Sequence, residues 1–250
     1  MNEDQRKIYH SLILPGIFII LLWLVKIFEI TAHTDLSIYG LYPLKLKGLL
    51  GILTCPLLHA DFSHLSANSI PLFFLGGLLL YFYREIAFRV FFLTWLLTGF
   101  WVWCFARGEG IHIGASGIVY GLASFLFFSG IIRRETKLMA LTLLIAFLYG
   151  GLVWGVFPQF FPQQKISWES HLMGLLAGLI LAIYYRKIGT QRKIYDWEEE
   201  DDDENDTFEE GFEAEGDKDP GTPKPTSPDD YGNIPDDQPA IPPFRYTYKK

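Results

Sequence analysis

Residues 65–83 read LSANSIPLFFLGGLLLYFY, and not one of them is charged. Apolar runs inside soluble proteins rarely exceed about 10–14 residues, whereas crossing a bilayer as a helix takes about 20. The stretch therefore reads as a membrane span. Five more runs of the same kind surround it: Ser11–Ile30 before it, then Val90–Ala106, Ile111–Ile132, Leu138–Phe161 and Ser170–Tyr185. The last is the shortest, roughly 24 Å at helical rise. None alternates with period two and short loops separate them, so helices are expected rather than barrel strands. Ser11–Ile30 is too long for a cleavable signal, and no small-residue cleavage site follows it. The expected fold class is an all-α membrane protein, a bundle of six transmembrane helices.

Charge organises the remainder. The net charge of −7 averages two unlike parts: residues 191–250 hold 19 acids against 7 bases, and residues 1–190 hold 9 against 14. The run WEEEDDDENDTFEE begins at Trp197, and eight of the fourteen prolines fall between Pro220 and Pro243. Such a segment cannot bury enough apolar area to offset chain entropy, so a disordered acidic tail is expected. The chain is thus read as a cytoplasmic N-terminus (1–10), a six-helix domain (11–187) and a cytoplasmic, Pro-rich tail (188–250). The terminal FRYTYKK, aromatic and basic, is its one piece with the character of a binding motif.

With the N-terminus inside, the inner segments carry Arg6, Lys7, Arg84, Arg89, Arg133, Arg134, Lys137, Arg186, Lys187, Arg192 and Lys193. The outer ones carry only Lys45, Lys47, Arg107 and Lys165. Basic residues favour the cytoplasmic side, so both termini are expected there. The connection Thr31–Ser63 then lies outside, and its Leu46, Leu49, Leu50, Ile52 and Leu53 suit the membrane interface. Cys55 and Cys104, both in apolar surroundings, offer neither a disulfide framework nor a metal cluster. No basic patch is interleaved with stacking aromatics. Neither a metal, nor a cofactor, nor nucleic acid is expected as a partner.

Polar groups inside a span are costly, which makes them functional candidates. Gly114-Ala115-Ser116-Gly117 opens the fourth run, where a helix start offers unpaired backbone N–H groups and glycines admit close approach. Taken alone, such a motif is more simply a helix-packing device. His171 opens the sixth run and shares a membrane level with Ser116. Gly117 and Gly121 are four apart, as are Gly174 and Gly178, so each helix has a small-residue groove through which the two can meet. A serine facing a histidine is the minimal nucleophile and base pair. His64 and Asn68, at i and i+4, share one face at the outer end of the second run and could stabilise an oxyanion. His59 falls off that face and reads as a structural loop residue. His112 likewise reads as a loop residue.

Together these residues resemble the rhomboid intramembrane serine proteases. The resemblance rests on His59-x₄-His64-x₃-Asn68, on Gly114-x-Ser116-Gly117, on Tyr120 four residues after the serine, and on His171-x₂-Gly174-x₃-Gly178. The motifs stand in the family's order and cover about residues 10–187. Two departures are visible: Ser170 stands where the family usually has alanine, and the Trp-Arg signature of the first outer loop is missing.

The resemblance implies a rhomboid-like bundle that cleaves transmembrane substrates near the outer face of the bilayer. Ser116 would be the nucleophile and His171 its base and acid, a dyad without a carboxylate. Tyr120 would pack on the imidazole. The Ser116 N–H, His64 and Asn68 would form the oxyanion hole, and Gly114 would leave room for substrate. Lateral access in the family runs between the second and fifth helices, where Phe73, Phe74, Trp154, Phe157, Phe160 and Phe161 are candidates for bulky edges. Six helices without a seventh resemble the simplest bacterial form, which implies the plasma membrane. A non-cleaving relative would usually lack the serine or the histidine. A transporter is disfavoured by the missing inverted repeat and the absence of a mid-span acid.

Overall fold

The computed structural model describes residues 2–107, 110–148 and 167–188, all within the unit Met1–Lys193. The described residues form seven α-helices and two short 3₁₀ turns. Helix α1 is Glu3–Thr31, and α2 is a short helix, Gly48–Thr54, in the first connection. Then follow α3 (Phe62–Phe82), α4 (Ala87–Phe105), α5 (Ser116–Ile132), α6 (Thr136–Leu148) and α7 (Trp168–Tyr184). Helices α1, α3 and α4 are long and apolar enough to cross a membrane, while α5, α6 and α7 are shorter apolar helices.

Several boundaries differ from the hydropathy reading. Helix α1 starts eight residues before Ser11, because Asn2 and Gln5 close a reciprocal cap: Gln5 N–H donates to Asn2 Oδ1 (2.9 Å) and Asn2 N–H to Gln5 Oε1 (3.1 Å). The fourth apolar run begins at Ile111, whereas α5 begins at Ser116, within the Gly114–Gly117 motif that was read as its opening. Residues 111–115 are loop, held by an isolated antiparallel pairing of His112 with Leu41 and by Gly114 N–H donating to Cys55 O (2.8 Å). The fifth run is helical over Thr136–Leu148, and its remainder lies outside the described residues. Trp154, Phe157, Phe160, Phe161, Lys165 and the tail from residue 189 onward lie outside them too.

Lipid is as apolar as leucine, so burial alone gives membrane helices little reason to associate; close backbone approach does. The tightest seam joins α5 and α7. A Cβ on Gly174 would stand 2.2 Å from Gly117 O, and one on Gly178 2.1 Å from Gly121 O. Ser124 Oγ donates to Leu175 O along the same seam (2.7 Å). On the other flank of α5, Thr98 and Thr94 of α4 fill the space beside Gly117 and Gly121. Helix α1 packs on α3 through side chains: Gly77 faces Leu12, Gly76 faces Pro15, and Trp23 Nε1 donates to Ser69 Oγ (3.1 Å). The buried centre is built from Leu65, Leu72, Leu75, Ile118, Leu122 and Phe125. At the far end of α5, the Arg133 guanidinium donates to the carbonyls of Tyr185 (2.8 Å) and Ile188, capping the end of α7.

The first connection is ordered by its own glycines. Gly48 and Gly51 let α2 press against the backbone of Tyr42 and Leu41. Trp95 Nε1 donates to Ile52 O (3.0 Å) and Trp103 Nε1 to Lys45 O (3.0 Å), which ties the segment to α4. Leu46, Leu49, Leu50 and Leu53 remain exposed, Leu46 at 84 %. An apolar edge of this kind belongs against lipid.

Candidate active site

Three helix starts converge at one end of the bundle: those of α3, α5 and α7. Asp61 caps α3, its carboxylate accepting from His64 N–H at 2.7 Å, and this sets His64 in the first turn. One turn on, the Asn68 amide donates to His64 O (3.1 Å). A side-chain amide has two N–H donors, so one is left over.

The loop before α5 is built against this pair. Gly114 has φ +111°, in the region that side chains rarely adopt, and a Cβ there would lie 2.7 Å from the His64 ring and 3.6 Å from Asn68 Nδ2. The His64 imidazole therefore sits where a side chain on Gly114 would begin. No side chain caps α5 at Ala115, so its first N–H groups, those of Ser116 and Gly117, are helix-start donors without intrahelical partners. Ser116 is half-buried.

His171 lies in the first turn of α7 and is 7 % exposed. The Tyr120 ring, one turn after Ser116, stacks on its imidazole with centroids 4.1 Å apart and planes 14° from parallel. The Cβ position of Gly117 is 3.3 Å from Ser170 O. Ser116 precedes one partner of that contact and His171 follows the other, so both residues flank a contact of α5 with α7 at the upper end of their glycine seam. The six candidates from the sequence (Ser116, His171, His64, Asn68, Gly114 and Tyr120) thus fall at this one end. Among the described residues, no three His, Cys, Asp or Glu side chains gather as a metal site requires.

The sequence profile of the rhomboid domain matches residues 47–188. The chain belongs to the rhomboid family. It is 35 % identical over 170 residues to an uncharacterized protein of Mycobacterium tuberculosis, covering 66 % of this chain and 71 % of that one. The match to an uncharacterized protein of Mycobacterium bovis has the same identity and coverage. A third, from Mycobacterium leprae, is 33 % identical over 171 residues, covering 66 % and 67 %. Rhomboids as a family are intramembrane serine proteases acting on transmembrane substrates, and this rhomboid is an integral membrane protein by its apolar helices.

Around the rhomboid site, two histidines do more than the sequence suggested. His59, 3 % exposed, accepts from Ala115 N–H through Nε2 at 3.4 Å, and its ring lies 5.2 Å from that of His64. It joins the loop before α3 to the start of α5. Burial, with smaller contributions from His64 and Lys26, pushes its pKa down to about 3, so it is a neutral acceptor. The carbonyls of His59 and Ala60 both accept from Lys26 Nζ (2.9 Å each), and Lys26 pairs with Glu29 at 2.8 Å.

His112 is a loop residue, as expected, yet its Nδ1 lies 2.5 Å from Ser167 Oγ, the cap of α7. Ser167 Oγ also lies 2.7 Å from Ser170 Oγ, so His112, Ser167 and Ser170 form a hydrogen-bonded chain across the start of α7. Burial lowers the His112 pKa, and the Glu169 carboxylate opposes it. Only partners 55 and 56 positions away reveal these roles. Of the access candidates within the described residues, Phe73 lies 3.8 Å from the Cβ position of Gly16 on α1, whereas Phe74 is exposed.

Proposed function

We propose that the chain is a serine endopeptidase that cleaves transmembrane helices near the outer face of the bilayer with a Ser116–His171 dyad. The observation that supports it most is the Tyr120–His171 stack beside the Gly117–Gly174 contact, which orients an imidazole next to the helix start bearing Ser116. In this reading His171 takes the Ser116 hydroxyl proton as Oγ attacks the scissile carbonyl carbon. The Ser116 N–H, His64 and the spare Asn68 N–H receive the oxyanion. His171 then protonates the leaving amine, and a water deprotonated by His171 hydrolyses the acyl ester. Tyr120 replaces, by stacking, the orienting role that a carboxylate has in other serine hydrolases. One oxyanion donor is typically worth about 3–4 kcal/mol of transition-state stabilisation.

A substrate helix hides its carbonyls in internal hydrogen bonds, so the preferred substrates carry Gly, Pro or other small residues near the outer end of their span. Six spans, both termini in the cytoplasm and a bacterial plasma membrane complete the proposal, supported by the eleven-to-four bias of basic residues. The test reconstitutes the full chain, treats it with a fluorophosphonate probe and assays a transmembrane reporter, beside Ser116→Ala and His171→Ala. Labelling and cleavage by the wild type, lost in both variants, are expected. A Ser116→Ala variant that cleaves normally, or an unlabelled and inert wild type, would sink the reading.

A further inference from the structure

At the end of the bundle opposite Ser116, the start of α1, the end of α3 and the start of α4 surround a cavity of about 750 Å³. Its rim carries Arg6, Lys7, His10 and Arg84 against a single acid, Glu3. Glu3 pairs with Lys7 at 3.3 Å, so among the described residues Arg6 and Arg84 have no acidic partner. Below the rim the wall turns apolar, at Leu14, Leu80 and Phe88. Those three side chains also line a second cavity of about 240 Å³ between the same helices, whose remaining lining, Pro15, Phe18 and Phe91 included, has no polar side chain. Gly76 of α3, with Pro15 opposite, keeps this crevice open where a larger residue would fill it.

The two spaces make one cleft, cationic where it meets the headgroup level and apolar where it runs into the bilayer. Its occupant must have the same order of polarity along its length. We propose that the cleft binds one anionic phospholipid, its phosphate between Arg6 and Arg84 and an acyl chain in the crevice beneath. Interhelical basic pockets at the membrane surface attract anionic headgroups at about 1 kcal/mol per Lys or Arg. Inorganic phosphate could satisfy only the rim. The acidic run 198–204 could also satisfy only the rim, since it holds no apolar side chain. The inference rests on these helices lying in a bilayer and is independent of the Ser116–His171 chemistry.

The experiment places the full chain in phosphatidylcholine nanodiscs with and without a minority of phosphatidylglycerol, and reads lipids retained on native mass spectrometry together with the thermal midpoint. One phosphatidylglycerol retained per chain and a raised midpoint are expected, with no such shift from inorganic phosphate. An Arg6→Gln/Arg84→Gln variant should bind phosphatidylglycerol roughly tenfold more weakly or worse, while Arg134→Gln should bind as the wild type does. Leu80→Trp, which fills the crevice and leaves the charges, should also lose retention, so the result does not hang on one variant folding. Equal retention of phosphatidylcholine, an unchanged Arg6→Gln/Arg84→Gln variant, or a phosphate effect matching the lipid's would overturn the proposal.

Discussion

Two glycine seams hold this bundle, and they are built differently. Between α5 and α7, the Cβ positions of Gly174 and Gly178 run into the carbonyl oxygens of Gly117 and Gly121, so backbone meets backbone. Between α1 and α3, Gly76 and Gly77 face the side chains of Pro15 and Leu12 at 3.0 and 2.7 Å. A carbonyl cannot step aside without breaking its helix, but a leucine can change rotamer. The first seam therefore fixes the relative position of Ser116 and His171, while the second leaves α1 able to adjust. The same softness keeps the cleft beside Pro15 open.

The comparison breaks most visibly if Gly178 becomes leucine. The collision with Gly121 O has no soft partner, so Gly178→Leu should yield neither a cooperative thermal transition nor probe labelling at Ser116. Helix α1 also has a rigid tie at its far end, the largely buried Lys26–Glu29 pair bound to the carbonyls of His59 and Ala60. Lys26→Met strands Glu29 and should cost about 3–5 kcal/mol in denaturant titrations; Lys26→Met/Glu29→Gln should recover much of it. Gly114→Ala sets a methyl into the His64 ring at a positive φ. Reporter cleavage should drop about 100-fold, the size of losing an oxyanion donor, with the thermal midpoint moved far less than in Gly178→Leu.

A pH titration sharpens the contrast further. Both His59 and His112 are held below the ordinary histidine value, His59 at about 3. As pH falls through about 6.5 the unfolded chain takes up protons that the folded chain refuses, so stability present above that pH is lost on acidification. For His59 the loss between pH 7 and pH 5 is about 2 kcal/mol; His59→Gln should flatten that part of the profile. Smallest of all, Gly76→Ala should shift stability by less than about 1 kcal/mol, since only Pro15 side-chain atoms must yield. A large loss there would make the two seams alike.

Much of this was legible beforehand because the signals are local. Runs of apolar residues mark spans, a four-residue glycine spacing marks a helix face, and His64 and Asn68 share a face by helical geometry alone. What stayed hidden depends on distant partners or on missing caps. Hydropathy does not mark the start of α5: Ile111 and Ile113 are as apolar as the helix that follows, no side chain caps it, and only the Gly114–Gly117 motif points there. His112 looked inert because its partner, Ser167, belongs to another helix start. That Gly114 admits a close approach can be read from the residue type, but the group beside it, His64, is fifty residues away in the chain.

The exposed leucine edge of the first connection, most of it on α2, has a consequence for where a cut would fall. Leu46, Leu49, Leu50 and Leu53 seek lipid, and α2 runs straight into Cys55, whose carbonyl accepts from Gly114 N–H two residues before Ser116. The depth at which this short helix floats is thereby handed to the serine. Such an enzyme would count its cleavage position from the lipid surface downward, as a plumb line does. A thinner bilayer should then move the cut along the substrate helix without any change in the substrate's sequence.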